Sequence, residues 1–315
     1  MRHFLQSEDW KNFQLALGKT VFEESEPDFS YLAVLEKTKM GNYLYLPYGP
    51  TLDEKNPKKS LKKALDSLKA LAKKQGCIFV RIEPTVAFNQ KDLAKFGLKK
   101  SKDLNPADTW LLDLKQDQAE ILTNMSQGTR TRHNQFEKKG LTVSVSKNPD
   151  DIKYLITLQH KLAQAKHINT FADSYLKTEL EQPFASLYLV HYNDEGKEKI
   201  VSASLFFDDQ DAKTRFYMQS ATDPEYKKLP ATVGLLSTAI FDAKAAGLET
   251  FDFWGIAPEG AKSSHPWAGF TQFKKSFGGF ARAYSGTLDL PIRGAKYRLY
   301  RFIRFINLKV RKIKA

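Results

Sequence analysis

Twice along this chain, strand-like runs give way to an amphipathic helix stopped by a glycine, and one further strand follows. In the first half, residues 31–35 and 43–46 are strand-like, and Gly41-Asn42 between them is a hairpin signal. Pro47-Tyr48-Gly49-Pro50 then breaks the strand. Asn56 is placed to cap a helix whose first position is Pro57. Leu61, Ala64, Leu65, Leu68, Leu71 and Ala72 form one apolar stripe on it, and Gly76 ends it. Residues 78–82 form a strand closed by Glu83-Pro84. In the second half, residues 186–192, 200–207 and 214–219 read as strands, split by Asn193-Asp194-Glu195-Gly196 and Asp208-Asp209-Gln210-Asp211. A helix over residues 229–246 stops at Gly247, and residues 250–254 follow as a strand. The order repeats and the letters do not, which predicts two related α+β lobes.

A helix is expected over residues 7–17, capped by Ser7, with Glu8 and Asp9 at the positive end of its dipole. Between the halves lies a helical stretch with a basic beginning, Ser126-Gln127-Gly128-Thr129-Arg130-Thr131-Arg132-His133-Asn134, which Gly140 stops. A chain of 315 residues buries a core without disulfides. Its one cysteine, Cys77, allows neither an internal disulfide nor a thiolate zinc site and reads as a small core residue. The six histidines are scattered without metal-ligand spacing, and neither a Walker loop nor a dinucleotide glycine fingerprint is present. No metal or cofactor is therefore expected. The N-terminus lacks a signal-peptide pattern and no apolar run reaches the roughly 18 residues of a membrane span, so the expected location is cytoplasmic. Lys and Arg number 49 against 36 Asp and Glu. That excess suits RNA, anionic lipid or phosphorylated small molecules, and equally an inert basic surface.

Five segments in order carry a more specific signal. They are Phe4-Leu5-Gln6-Ser7-Glu8-Asp9-Trp10, Arg81-Ile82-Glu83-Pro84, Thr129-Arg130-Thr131-Arg132 with Lys139-Gly140, Phe251-Asp252-Phe253-Trp254-Gly255-Ile256, and Phe273-Lys274-Lys275-Ser276-Phe277-Gly278-Gly279. Together they resemble the Fem family of non-ribosomal peptidyltransferases, in its compact form without a helical arm. The resemblance implies two GNAT-like (acyl-CoA N-acyltransferase-like) lobes in tandem. The first covers residues 1–108, with 286–315 returning to it, and the second covers 109–285. It also implies a reaction: an amine of the stem peptide of a peptidoglycan precursor, UDP-MurNAc-pentapeptide or lipid II, attacks the carbonyl of aminoacyl-tRNA. Lys274 matches the family lysine held to stabilise the oxyanion, with Phe273 its usual neighbour, and Gly278-Gly279 lets the chain turn behind it. Glu83 matches an acid suited to take the amine proton. The other reading of Glu83 is a structural pair with Arg81 on one strand face. Lys11, Lys19 and Arg81 are candidates for the acceptor diphosphate, and Gln14 stands where the family has a lysine. Tyr175 matches an acceptor-lining tyrosine. Phe171 stands in place of a family arginine and Gln219 in place of a tyrosine.

From Pro291 onward there is no acidic residue. Leu299, Phe302, Ile303, Ile306, Val310 and Ile313 fall on one helical face, amid Arg293, Lys296, Arg298, Arg301, Arg304, Lys309, Arg311, Lys312 and Lys314. Such a helix lies on an anionic membrane, binds tRNA phosphates, or docks on the first lobe with a solvated basic face. Arg130, Arg132, Arg301 and Arg304 are the candidate tRNA or membrane contacts. Two rival functions remain open: an N-acyltransferase using acyl-coenzyme A, and a non-catalytic basic protein that binds RNA or membrane. Against the first, the segment Leu229-Pro230-Ala231-Thr232-Val233-Gly234-Leu235 carries one glycine where a pyrophosphate loop needs several.

Overall fold

A computed structural model describes residues 2–166 and 170–313, apart from the side chains of 165, 166 and 307–313. The chain divides into two compact units. One runs up to Ala107 and resumes at Ala283; the other is Asp108–Arg282.

The first unit opens with α1 (Glu8–Ala16), where Ser7 Oγ accepts from Trp10 N at 3.1 Å and caps the helix. Gln6 is a buried tie between neighbouring segments. Its Nε2 donates to Pro47 O at 2.8 Å and Leu32 O at 3.1 Å, and its Oε1 accepts from Leu32 N at 2.8 Å. A side chain at position 49 would meet that amide at 2.5 Å, so Gly49 is required there. An antiparallel meander follows, β1 (Thr20–Ser25), β2 (Phe29–Thr38) and β3 (Gly41–Leu46), with the short β4 (Thr51–Leu52) paired to the start of β2. The hairpin turn is Lys39-Met40, not Gly41-Asn42, which already belong to β3. Gly41 is there for another reason: it has φ +124° and the Ile78 side chain fills the place of its Cβ.

The amphipathic α2 (Pro57–Lys74) buries Leu61, Ala64, Leu65, Leu68 and Ala72, which gives the unit its core. Pro57 starts it as expected, but Asn56 makes no side-chain cap bond. β5 (Phe79–Ile82) then runs parallel to β3, followed by α3 (Gln90–Lys95) and β6 (Lys99–Lys100).

The second unit comprises β7 (Asp108–Asp113), α4 (Gln118–Asn124), α5 (Gln127–Gln135), β8 (Leu141–Ser146), α6 (Ile152–Lys166) and α7 (Asp173–Leu180). Next come the long antiparallel strands β9 (Ala185–Asp194), β10 (Lys197–Asp209) and β11 (Thr214–Thr222). The apolar α8 (Ala231–Ala245) crosses over to β12 (Thr250–Gly255), parallel to β11, and α9 (Ala268–Lys275) and β13 (Phe280–Ala283) close the unit. Its sheet runs β13-β7-β12-β11-β10-β9-β8. The chain then returns to the first sheet as β14 (Leu288–Pro291), between β5 and β6, and ends in α10 (Gly294–Ile313), which packs Tyr297 and Tyr300 against Phe79. Each unit thus has antiparallel strands, a crossover helix and one parallel strand, the build expected of two GNAT-like lobes.

Candidate active site

In the second unit, β11 and β12 pair only at Thr214–Thr250, Arg215–Phe251 and Phe216–Asp252. Toward the carboxyl ends of both strands no pairing continues. On its other edge, β12 slips register against β7 between Asp252 and Gly255, a bulge that re-aims the chain. Trp254, at its apex, has φ 65°, the left-handed region a bulky residue seldom adopts. Asp252 holds it there: its Oδ1 accepts from Trp254 N at 2.7 Å and also from the Thr109 hydroxyl. The next carbonyl, Gly255 O, thereby meets Lys274 Nζ at 2.6 Å.

Lys274 lies on α9 and is largely buried. Burial pushes its pKa down to about 8, while the nearby Asp252 carboxylate pulls it back up. Asp252 is itself raised to about 6 by burial, against the Thr109 and Trp254 hydrogen bonds and the charges of Lys274 and Arg282. At neutral pH the site holds an ammonium poorly shielded by water. One of its three donors is on Gly255 O, so further N–H groups remain for a negative oxygen. Phe273 turns the other way and packs on Phe277, at 5.4 Å between ring centroids. Behind the segment Gly278 and Gly279 have φ 83° and 95°, and a Cβ at 279 would sit 2.1 Å from Leu111 O. No other residue fits position 279.

The structure brings Tyr175 and Gln219 together on a residue the sequence reading passed over. Glu179, one helical turn beyond Tyr175 on α7, receives Gln219 Nε2 at 3.4 Å. Burial raises its pKa to about 8, and hydrogen bonds from Gln219 and Tyr175 oppose the rise. The i, i+4 spacing was a signal, but a glutamate on an amphipathic helix reads as solvated. Phe171, in place of an arginine, stacks on the Tyr175 ring at 5.4 Å. Gln219 lies on the part of β11 that has already parted from β12.

In the first unit Arg81 and Glu83 do not pair, which corrects the structural alternative for them. Arg81 is fully buried. Its guanidinium grips Asp289 of β14 at 2.7 and 3.0 Å, reaches Ser101 at 3.1 Å, and lies over the Tyr43 and Phe79 rings. A fork so committed is not presented to a diphosphate, and that expectation is corrected too. Lys11 is held by Glu8 and Glu23, and Lys19 by Glu36; Gln14 is buried on α1. Glu23 and then Glu8 hold the Lys11 ammonium above its ordinary pKa. Arg130 caps α4 through the Thr123 and Met125 carbonyls, a structural role, while Arg132 is exposed on α5.

Glu83 receives the Thr287 hydroxyl at 2.6 Å and Asn105 N at 3.3 Å on one oxygen. On the other it receives Tyr45 OH and Asn105 Nδ2, both at 2.9 Å. Four donors on one carboxylate mark a structural hub. Glu83→Gln is therefore expected to cost about 1–3 kcal/mol of stability, because an amide N–H then faces those donors. The same variant should keep the transfer rate within about tenfold. Chemical denaturation with single-turnover kinetics checks both; a hundredfold rate loss at unchanged stability would instead make Glu83 the base.

On α10, Arg301 lies 6.0 Å from the Tyr297 ring and Arg304 donates to Tyr300 OH at 3.2 Å. Leu299, Phe302 and Ile306 are exposed and Ile303 partly so. The side chains of Lys309, Val310, Arg311, Lys312 and Ile313, and Lys314 altogether, lie outside the described residues. On α8, Gly234 is explained by packing: the Phe136 ring occupies the position of its Cβ.

The sequence model of the FemAB family matches residues 1–105 and 187–304. No curated protein matches the chain by sequence. Among solved structures, the crystal structure of FemX superposes with TM-score 0.81 at 17% identity, over 94% of each chain. The structure of L-PGS from Bacillus licheniformis superposes with TM-score 0.58 at 15% identity, over 92% of this chain and 94% of that one. A tandem GNAT protein from the clavulanic acid pathway gives TM-score 0.57 at 11% identity, over 92% and 90%. At these identities the likeness establishes the fold, two GNAT-like lobes.

Proposed function

Because the chain belongs to the FemAB family, whose members build peptidoglycan bridges by aminoacyl transfer, we propose that its donor is aminoacyl-tRNA and its acceptor a stem-peptide amine of UDP-MurNAc-pentapeptide or lipid II. The observation that carries this reading is the desolvated Lys274 at the parting of β11 and β12. The amine nitrogen bonds to the ester carbonyl carbon, and negative charge builds on the carbonyl oxygen beside the ammonium. The carbon–oxygen bond to the ribose then breaks, the ribose oxygen takes up a proton, the amine nitrogen gives one up, and an amide remains. For the acceptor the reading keeps Tyr175, which the family resemblance assigns to that role, with Gln219 and Glu179 as the buried polar pair behind it. No diphosphate role is retained for Arg81.

The test is a transfer assay read by mass spectrometry, with pooled aminoacyl-tRNAs and each acceptor separately. An increment of one amino acid on either acceptor supports the reading. Acylation from acetyl-coenzyme A alone, or no turnover with any donor, would replace it by the corresponding rival. Against a coenzyme A donor stands Gly234, whose missing side chain makes room for Phe136 rather than for a pyrophosphate loop. The reading includes contact with the inner membrane surface through α10. Among the described residues, no helix is long and apolar enough to cross a membrane, so that contact is peripheral.

A further inference from the structure

α9 is built inside out. Its lysine at 274 is drawn into the protein, while Trp267 at its N-cap and Phe270 in its first turn are 40% and 57% exposed. Folding alone favours the reverse, since large aromatics gain by burial and lysine by solvation. At about 100° per residue, Trp267, Phe270 and Lys274 fall within roughly 60° of one another around the helix. The exposed rings therefore lead along one edge to the ammonium. With a rise of about 1.5 Å per residue, Phe270 stands roughly 6 Å from Lys274 along the axis. From Gly260 to Arg282 the sequence has no acidic residue, Lys262, Lys275 and Arg282 are exposed, and the carboxylate near Lys274, Asp252, is buried.

Exposed aromatics on a segment whose exposed charges are all basic fit a single-stranded nucleic acid, whose bases stack and whose phosphates are neutralised by such charges. We propose that Trp267 and Phe270 are the stacking platform for the unpaired 3′ end of the RNA donor, placing its terminal ester at Lys274. This rests on the reading that the donor is aminoacyl-tRNA. The terminal base lies one ribose away from its ester carbonyl, a span comparable to one helical turn. Stacking also accepts any base equally, which suits an end common to all donors.

The test combines kinetics with binding. In Trp267→Ala/Phe270→Ala the KM for aminoacyl-tRNA should rise at least about fivefold, the loss typical of removing a base–aromatic stack. The KM for the acceptor should stay unchanged, and so should the melting temperature, because both side chains are exposed. Phe270→Trp should keep the wild-type donor KM. Independently, a single-stranded RNA ending in CCA should quench tryptophan fluorescence in the wild type and do so far less in Trp267→Phe. An unchanged donor KM, or a rise in acceptor KM instead, overturns the platform. If the RNA quenches Trp267 but no aminoacyl-tRNA supports transfer, the platform stands and the proposed donor chemistry falls.

Discussion

Lys274→Ala should lower the transfer rate by about 10²- to 10³-fold, the usual loss when one donor to a developing oxyanion is removed. The acceptor KM should change little, since the ammonium acts on charge that appears in the transition state. Lys274→Met, which keeps the bulk and loses the charge, should lose as much rate with its fold intact by circular dichroism. A second signature is the pH profile. The ammonium must be charged to act, and burial holds its pKa at about 8. This lysine factor should therefore be complete at pH 7 and fall as pH rises through 8, where an exposed lysine would hold its proton to about 10.4. Asp252→Asn removes the nearby charge that raises the Lys274 pKa, so the fall should move to lower pH. For stability the sign is opposite to that of a lysine gaining a partner. The folded pKa is depressed, so between about 8 and 10.5 the unfolded chain binds more protons and stability rises with pH. A Lys274→Ala enzyme at full rate, or a wild type with no decline near pH 8, would remove Lys274 from the chemistry.

None of this was visible in the local pattern around Lys274. A lysine after Trp-Ala-Gly-Phe-Thr-Gln-Phe reads as the solvated side of a helix, and only the resemblance singled it out. Its partner Gly255 O follows the bulge at Trp254, a register shift against β7 for which the run Phe251-Asp252-Phe253-Trp254 carries no local mark. The elements that were legible have short-range causes: the α2 stripe with Pro57 and Gly76, the Ser7 cap, and the alternation in β9 to β11. β1 was missed because Thr20, Glu23, Glu24 and Ser25 leave little apolar periodicity on a strand at the sheet edge. The expected pairing of Arg81 with Glu83 fails for a different reason. Their partners Asp289, Thr287 and Asn105 come from distant positions, and a spacing of two residues suggested a pair that the fold does not form. Glu179 likewise gains its character only from burial in the folded unit, where Gln219 of β11 becomes its hydrogen-bond partner.

Replacing Leu299, Phe302 and Ile306 together by serine should weaken binding to anionic vesicles about 100-fold. The tail was expected to have one apolar face, but α10 has two. Tyr297 and Tyr300 are buried on the Phe79 side of the first unit. Leu299, Phe302 and Ile306 lie about 140–200° around the helix from Tyr297 and are 58%, 61% and 42% exposed. A helix docked only on its own lobe would carry charge on that outer face. Full burial of such a side chain contributes about 1.5–3 kcal/mol, so half-exposed ones entering an acyl boundary contribute roughly 1 kcal/mol each. Basic residues near the surface add about 1 kcal/mol apiece on anionic lipid, and no acidic residue after Pro291 opposes them. Binding should accordingly weaken in high salt and on phosphatidylcholine alone. The triple variant leaves the docked tyrosine face intact, so its melting temperature should match the wild type. If the membrane contact serves the acceptor, this variant should lose transfer to lipid II in vesicles while retaining transfer to UDP-MurNAc-pentapeptide. Unchanged vesicle binding would exclude α10 as the membrane contact, and equal loss on both acceptors would show that the outer face serves the catalytic unit instead.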